Sequence, residues 1–277
     1  FSTGLVIRGG NTDQNLILLD GITVYNPSHL GGLFSNFIVD AVKDAELIKG
    51  GYNAEYGGRL SAVLDIRSRE GNRNKFEGST SISVLSAQTT LEGPFLNGAW
   101  LLAGRRTYFD KLLPKVTDFN FPYYFYDLQG HVFTDLNEKD RISLSFYRGV
   151  DDLQYSDLDL DSDWGNETAS LAYRRVFNEK IIGNFLLANS RFYTRFGLGG
   201  EAGINEYNPL RDITLAGDIS YFKSQEFNLF FGAELKDLDI KYNSRFNDET
   251  LFDSRTAPSQ LAFYSKVKWK PNKRFII

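Results

Sequence analysis

The sequence predicts a mainly β protein: part of a transmembrane antiparallel β-barrel, with a small α+β domain ahead of it. Three observations point there. Beyond about residue 76, long segments alternate apolar and polar residues. The connections between those segments alternate short and long. Aromatic residues gather toward the segment ends.

The alternation is clearest in three places. "RISLSFYRG" sets Ile142, Leu144 and Phe146 on one face against Ser143, Ser145 and Tyr147 on the other. "NLFFGAELK" sets Leu229, Phe231, Ala233 and Leu235 against Phe230, Gly232, Glu234 and Lys236. "QLAFYSKVKWK" sets Leu261, Phe263, Val267 and Trp269 against Ala262, Tyr264, Lys266 and Lys268. A period of two over such lengths is a strand signal. It predicts nine or ten strands, at roughly 76–93, 99–109, 125–135, 141–150, 168–177, 181–196, 212–223, 227–242 and 260–270, with a tenth starting at Arg274.

Short links are read at 136–141, 177–180, 223–227 and 270–274, and long polar ones at 110–124, 150–167, 197–211 and 243–258. A meander whose two ends face different environments sorts its connections this way, as membrane barrels do. Aromatic clusters at Tyr108-Phe109, Tyr123 to Tyr126, Phe192-Tyr193, Tyr221-Phe222 and Tyr242 suit interfacial girdles. A soluble β-sandwich explains the aromatics equally well but not the sorted connections.

Composition narrows the function. The 277 residues carry a net charge of −4 and 15% aromatics. That balance gives no support for a nucleic-acid partner. There is no cysteine, and the only histidines are His29 and His131, so a thiolate or histidine-based metal site is not expected. No apolar run approaches the ~18 residues of a membrane helix, a test that says nothing about barrel strands. The chain contains no methionine and opens in mid-pattern, which reads as a piece of a longer product.

Residues 1–74 form the predicted α+β domain, and residues 75–277 the barrel segment. Glycine pairs at 9–10, 31–32, 50–51 and 57–58 separate short apolar stretches. None has the spacing of a nucleotide-binding loop, so they read as turns and close backbone approaches. In "DAVKDAELIKGG" and the valine before it, Val39, Val42, Ala45 and Leu47 fall near helical spacing, which predicts a short helix followed by a strand.

The ordered motifs of this first part, "VIRGG" (6–10), "LILLDGITVYNPSHL" (16–30), "DAVKDAELIKGG" (40–51) and "AEYGGRLSAVLDIRS" (54–68), resemble the second half of the plug domain of TonB-dependent outer-membrane receptors. Their wording looks closest to receptors of the Bacteroidetes type. The hairpin from "FEGSTSISVLSAQTTLEGPF" (76–95) into "LLAGRRTYFD" (101–110) is similar to the start of that family's barrel. The resemblance implies a twenty-two-stranded barrel in the outer membrane of a Gram-negative bacterium, closed by a plug. It also implies import of a scarce solute, such as a ferric siderophore, cobalamin or an oligosaccharide, without enzymatic chemistry or a cofactor. Implied partners are the lipid bilayer, the TonB-ExbB-ExbD complex through a segment N-terminal to this sequence, the solute or glycan, and a surface lipoprotein acting as a lid.

The same resemblance places a plug–barrel lock at Arg8 and Lys49, with Glu46 beside them and Glu234 as a wall partner. Tyr25, Asn26 and His29, in a Pro- and Gly-containing loop, are candidate ligand-facing residues, as are Arg191, Tyr193 and Arg195 from the presumed lumen face. Ordinary surface or loop polarity also accounts for each of these residues. The acidic run from Asp151 to Asp163 has D-x-D-x-D spacing but lacks the Gly and Glu of a calcium loop, and reads as a solvated extracellular loop. No catalytic constellation is apparent. Two other readings stay open: a secreted β-rich module that binds carbohydrate, and a plugged barrel with a structural or export role.

Overall fold

The computed structural model describes residue 7, residues 11–116 and residues 121–270. Arg8, the Gly9–Gly10 pair and the strand expected from Arg274 lie outside the described residues. A small sheet comes first, in the order β2 (Ile22–Thr23), β1 (Leu16–Leu19), β6 (Val63–Ser68), β5 (Val42–Ile48). Within it β1 and β6 run parallel, and the other pairs are antiparallel. The β1–β2 turn is Asp20-Gly21, with φ of 52° and 81°. Two successive positive φ values make the tight turn that suits a hairpin, and they explain the Asp-Gly. A two-stranded ribbon of β3 (Ser28–His29) and β4 (Phe34–Ser35) projects from this domain. Gly31 and Gly32, at φ 65° and 108°, turn the chain back between the two.

The rest is one meandering antiparallel sheet, called the wall below: β7 (Glu77–Ile82), β8 (Ser86–Phe95), β9 (Gly98–Thr107), β10 (Tyr123–Asp135), β11 (Asp140–Tyr155), β12 (Leu160–Asn178), β13 (Ile181–Leu198), β14 (Ile204–Phe222), β15 (Phe227–Phe246), β16 (Glu249–Thr256) and β17 (Ser259–Trp269). Each strand pairs with the next as far as β16, and β17 pairs with the lower part of β15 while β16 pairs with its upper part. Helix α1 (Phe109–Val116) lies in the β9–β10 connection. The described sheet is open, with β7 at one edge and β16 and β17 at the other.

Four sequence expectations are corrected. The helix expected after Asp40 is a single 3-10 turn, Val39–Ala41, and the rest of that stretch is strand β5. The segment 76–93 is a hairpin, not one strand. The long polar connections at 150–167, 197–211 and 243–258 are paired strands with tight tips. Asp151, read as part of a solvated loop, is buried on the wall's inner face. The last two share one reason. Strands that rise beyond the apolar zone keep their ladder hydrogen bonds while both faces can be polar, so the alternation vanishes without the strand ending.

Register shows how the wall divides its two faces. Val132, Leu144, Leu171, Leu187, Leu215, Leu235 and Leu261 are successive cross-strand partners on the face away from the small domain. These leucines are about half exposed, as are Phe146, Phe185 and Phe231 on the same face, and Phe263 is more so. Below the leucine row, Asp140 pairs with Arg175 and accepts a hydrogen bond from Tyr173 at 2.6 Å. Above it comes a charged row of Arg148, Glu167, Arg191, Arg211 and Asp239. From Asp140 to Arg148 a strand covers about 26 Å at ~3.3 Å per residue, or roughly 20 Å of height at a ~40° tilt. That compares with the ~25 Å apolar band of membrane barrels. Strand β11 continues past Arg148 to Tyr155, whereas the opposite ends turn directly at Asn137 and Glu179.

Candidate functional site

The inner face of the wall is polar, and the small domain is bonded to it. Strand parity places Tyr123, Phe125, Asp127 and Gln129 of β10 inward, with Ser145, Tyr147 and Asp151 of β11, Asn166 and Thr168 of β12, Ser190 of β13 and Asp212 of β14. All of these are buried.

The ribbon tip inserts His29 into this face. Its Nε2 lies 2.8 Å from Asp127 and its Nδ1 2.7 Å from Asp151, with the imidazole fully buried. The ring stacks on Phe125 with centroids 4.0 Å apart. A carboxylate only accepts, so a ring nitrogen facing one on each side must donate from both positions, which describes an imidazolium. Burial alone pushes the His29 pKa down, but the hydrogen bonds to Asp127 and Asp151 outweigh it and raise the value above 6.5. Asp127 also accepts from Tyr147 at 2.7 Å and from Arg105 at 2.8 and 2.5 Å. Asp151 accepts from the Leu30 N–H at 3.1 Å and from Tyr123. Arg105 donates onward to the Ser35 carbonyl at 2.5 Å. Two cations, His29 and Arg105, thus face two carboxylates, and both carboxylates have donors on each oxygen. A buried ion cluster persists only under such complete pairing.

A second contact lies further along the wall. Tyr25 donates to Asp212 at 2.6 Å, and Thr214 donates to the other Asp212 oxygen at 2.8 Å. Burial and Asp212 push the Tyr25 hydroxyl up, so it stays protonated. Lys236 donates to Thr23 at 3.0 Å and sits 3.9 Å from Asp212. Ser190 donates to the Thr23 carbonyl at 2.6 Å, and Asn166 to the Asn26 carbonyl at 2.5 Å. Nearer the lower end, Gln129 donates to Ser68 at 2.9 Å, Arg69 pairs with Glu92 at 2.6 Å, and Lys266 pairs with Glu55 at 2.7 Å. Apolar contact is small beside this. Ile38 and Ala41 pack on Leu101 and Ala103, and Tyr147 joins the domain core of Ile17, Leu19, Val24, Phe37 and Ile66.

The residues expected from sequence fall into three groups. Tyr25, Asn26 and His29 are brought together, but against the wall; His29 is enclosed and offers no free face. Lys49 and Glu46 are exposed on and beside β5 and form no ion pair with described wall residues, while Glu234 faces inward 3.8 Å from Lys236. Arg191, Tyr193 and Arg195 lie on the outer face, because Arg191 shares a pair with Glu167 and is out of step with inward Ser190. The sequence reading takes Asp151 as part of a solvated loop, Tyr123 as a girdle aromatic and Tyr147 as one residue of a polar strand face, and assigns no plug contact to any of these or to Asp127, Arg105 and Asp212. The signal for them was a carboxylate on the same parity as Gln129 and Ser145. Among the described residues, no group of three or more His, Asp or Glu is placed to hold a metal ion.

A polar-faced barrel wall with a small domain bonded across its inner face defines a plugged β-barrel. The family described as the TonB-dependent receptor plug domain matches residues 1–63. The TonB-dependent transporter Oar of Myxococcus xanthus is 31% identical over 90 residues, covering 32% of this chain and 8% of its own length. The siderophore receptor PirA from Pseudomonas aeruginosa superposes with a TM-score of 0.71 at 16% identity, over 96% of this chain and 47% of its own. The ferric enterobactin receptor PfeA of the same organism gives a TM-score of 0.69 at 14% identity, over 96% and 49%. The copper transporter OprC gives 0.66 at 12% identity, over 94% and 45%. The chain therefore spans about half of these structures. These matches support reading it as part of a TonB-dependent receptor.

Proposed function

We propose that this chain is the second half of the plug and the first part of the barrel of an outer-membrane receptor that imports a scarce solute by energy-coupled plug movement. One observation carries the reading: the plug is held to the wall by hydrogen bonds and ion pairs rather than by a continuous apolar core. Polar contacts of this kind break one after another under a directed pull, each exchanging its partner for water, whereas a packed apolar interface must separate at once. His29 between Asp127 and Asp151 is the central latch, and Tyr25–Asp212 and Lys266–Glu55 are its outlying members. In this reading residues 1–74 are the plug part and residues 75–277 the barrel part.

The matched relatives include receptors named for siderophores and a copper transporter, so a ferric siderophore, another metal complex, cobalamin and an oligosaccharide remain the candidate cargoes. The likeness to Bacteroidetes-type receptors rests on motif wording alone, since the relatives named come from Myxococcus and Pseudomonas. The TonB complex, pulling through a segment N-terminal to this sequence, is the proposed source of force. The test is solute accumulation by cells expressing the full-length protein, with and without TonB. Uptake that needs TonB while surface binding does not supports the reading. Uptake indifferent to TonB, or a full-length protein that is soluble without detergent, rejects it.

A further inference from the structure

The outer face of the wall carries a cluster that plug docking does not use. Directly above the leucine row stand Arg148, Glu167, Arg191 and Arg211, consecutive cross-strand partners on β11 to β14. Glu167 is the only acid among the four. It lies 3.5 Å from Arg148 and 3.2 Å from Arg191, so one carboxylate is shared by two guanidinium groups. Arg211 donates to the Asn189 amide oxygen at 3.1 Å and stands opposite Asp239. Asp239, next in the row, accepts from Arg255 at 2.7 and 3.1 Å, so with Arg255 the cluster holds four guanidinium groups against two carboxylates, and Arg148, Arg191 and Arg211 are all accessible.

The arginines are also held in place. The guanidinium groups of Arg191 and Arg195 lie 5.2 and 5.3 Å from the centre of the Tyr193 ring, and Arg191 donates to the Tyr207 hydroxyl at 2.9 Å. Tyr193 is only 6% exposed, because it lies across the backbone of β12 at Gly165. A Cβ at Gly165 would come within 3.2 Å of that ring and within 2.7 Å of the Gly149 carbonyl. Glycine there lets the ring lie flat and fixes the guanidinium planes, so little side-chain entropy is lost when they bind an anion.

We propose that this row binds the phosphate of an outer-leaflet lipid headgroup. The site rests on the membrane-spanning reading of the wall. The leucine row places acyl chains immediately below the arginines, which is the height at which a lipid presents its phosphate. Planar guanidinium forks match that anion in pairs. The strands that continue above the row supply a side wall for the rest of the headgroup. On that wall is a groove of about 420 Å³ lined by Asp161, Asp163, Arg195, Asn205, Tyr207 and Arg245.

The experiment uses the full-length protein in phosphatidylcholine nanodiscs doped with either bisphosphorylated lipid A or the same lipid stripped of both phosphates. Native mass spectrometry counts the lipid retained after detergent release. The wild type is expected to retain the phosphorylated lipid selectively, and an R148Q/R191Q/R211Q triple variant to retain about tenfold less. K111Q, on the exposed side of helix α1 and outside both the row and the groove, is expected to match the wild type. Heat-modifiable migration in SDS verifies that each variant is a folded barrel. Equal retention by wild type and triple variant overturns the proposal, as does equal retention of the two lipids. Retention abolished by EDTA overturns it too, since a divalent cation on Glu167 and Asp163 would then be the bridge. A wild type that does not enter the nanodisc would sink the membrane reading itself, a result distinct from the other three.

Discussion

At His29 one imidazolium bridges two wall carboxylates, with Arg105 as the second cation, and His29→Ala leaves both carboxylates buried with one cation fewer. Removing one partner of a buried ion cluster costs about 3–5 kcal/mol. The expected outcome is a loosened ribbon on an intact wall: faster amide exchange across residues 26–36, with β10 to β14 unchanged. Loss of protection throughout the wall would mean that the latch is a folding element instead. The same residue sets a pH dependence. Its docked pKa lies above the ordinary 6.5. Its contribution is therefore complete below about 6.5 and is lost as pH rises through the raised value. Exchange across 26–36, corrected for intrinsic base catalysis, should accelerate from mildly acidic to alkaline pH in the wild type. His29→Ala should flatten that profile. Tyr56 contributes nothing in this range, because burial and Asp65 push its hydroxyl up to about 12.

The strands β11 to β15 alternate a wet face with a lipid face, and the leucine row marks the middle of the latter. Leu144→Arg and Phe231→Arg should each cost ~2–4 kcal/mol when the barrel is unfolded from lipid vesicles by denaturant. Leu158→Arg makes a contrast. Leu158 is equally apolar and 60% exposed, but it sits on the β11–β12 tip beyond the charged row. Its replacement should fall within ~0.5 kcal/mol of wild type. Equal costs at all three sites would show that the apolar band is misplaced. The periodicity that identifies these strands stops where the apolar band stops, which is why 150–167 and 197–211 look like loops in the sequence.

On the scale of the whole molecule, the plug touches the wall from β8 to β17, and its far corner is Lys266 with Glu55 at 2.7 Å. A zero-length carbodiimide should join that pair as an amide, detected as a cross-linked peptide by mass spectrometry. If the link forms, cells carrying the cross-linked receptor should keep surface binding and lose uptake. Absence of the link in the folded protein would mean that the plug is seated elsewhere. A link that leaves uptake unaffected would refute movement of this corner during transport.

The sequence by itself determined the strand character, the order of small domain before meander, and which face of β11, β15 and β17 meets lipid. Period two is a local property, and one buried or lipid-covered face is enough to write it. The ordered plug motifs were legible for the same reason, since each belongs to a single turn or strand. Only the tertiary structure decided what the polar residues do. Asp127 and Asp151 are separated from His29 by 98 and 122 residues, and no spacing rule connects them. Arg191, Tyr193 and Arg195, read from the sequence as lumen-facing, lie on the opposite side, because above the apolar band both faces are polar and parity has no hydrophobic reference. Their place follows from the unbroken register that links them to Leu187 below.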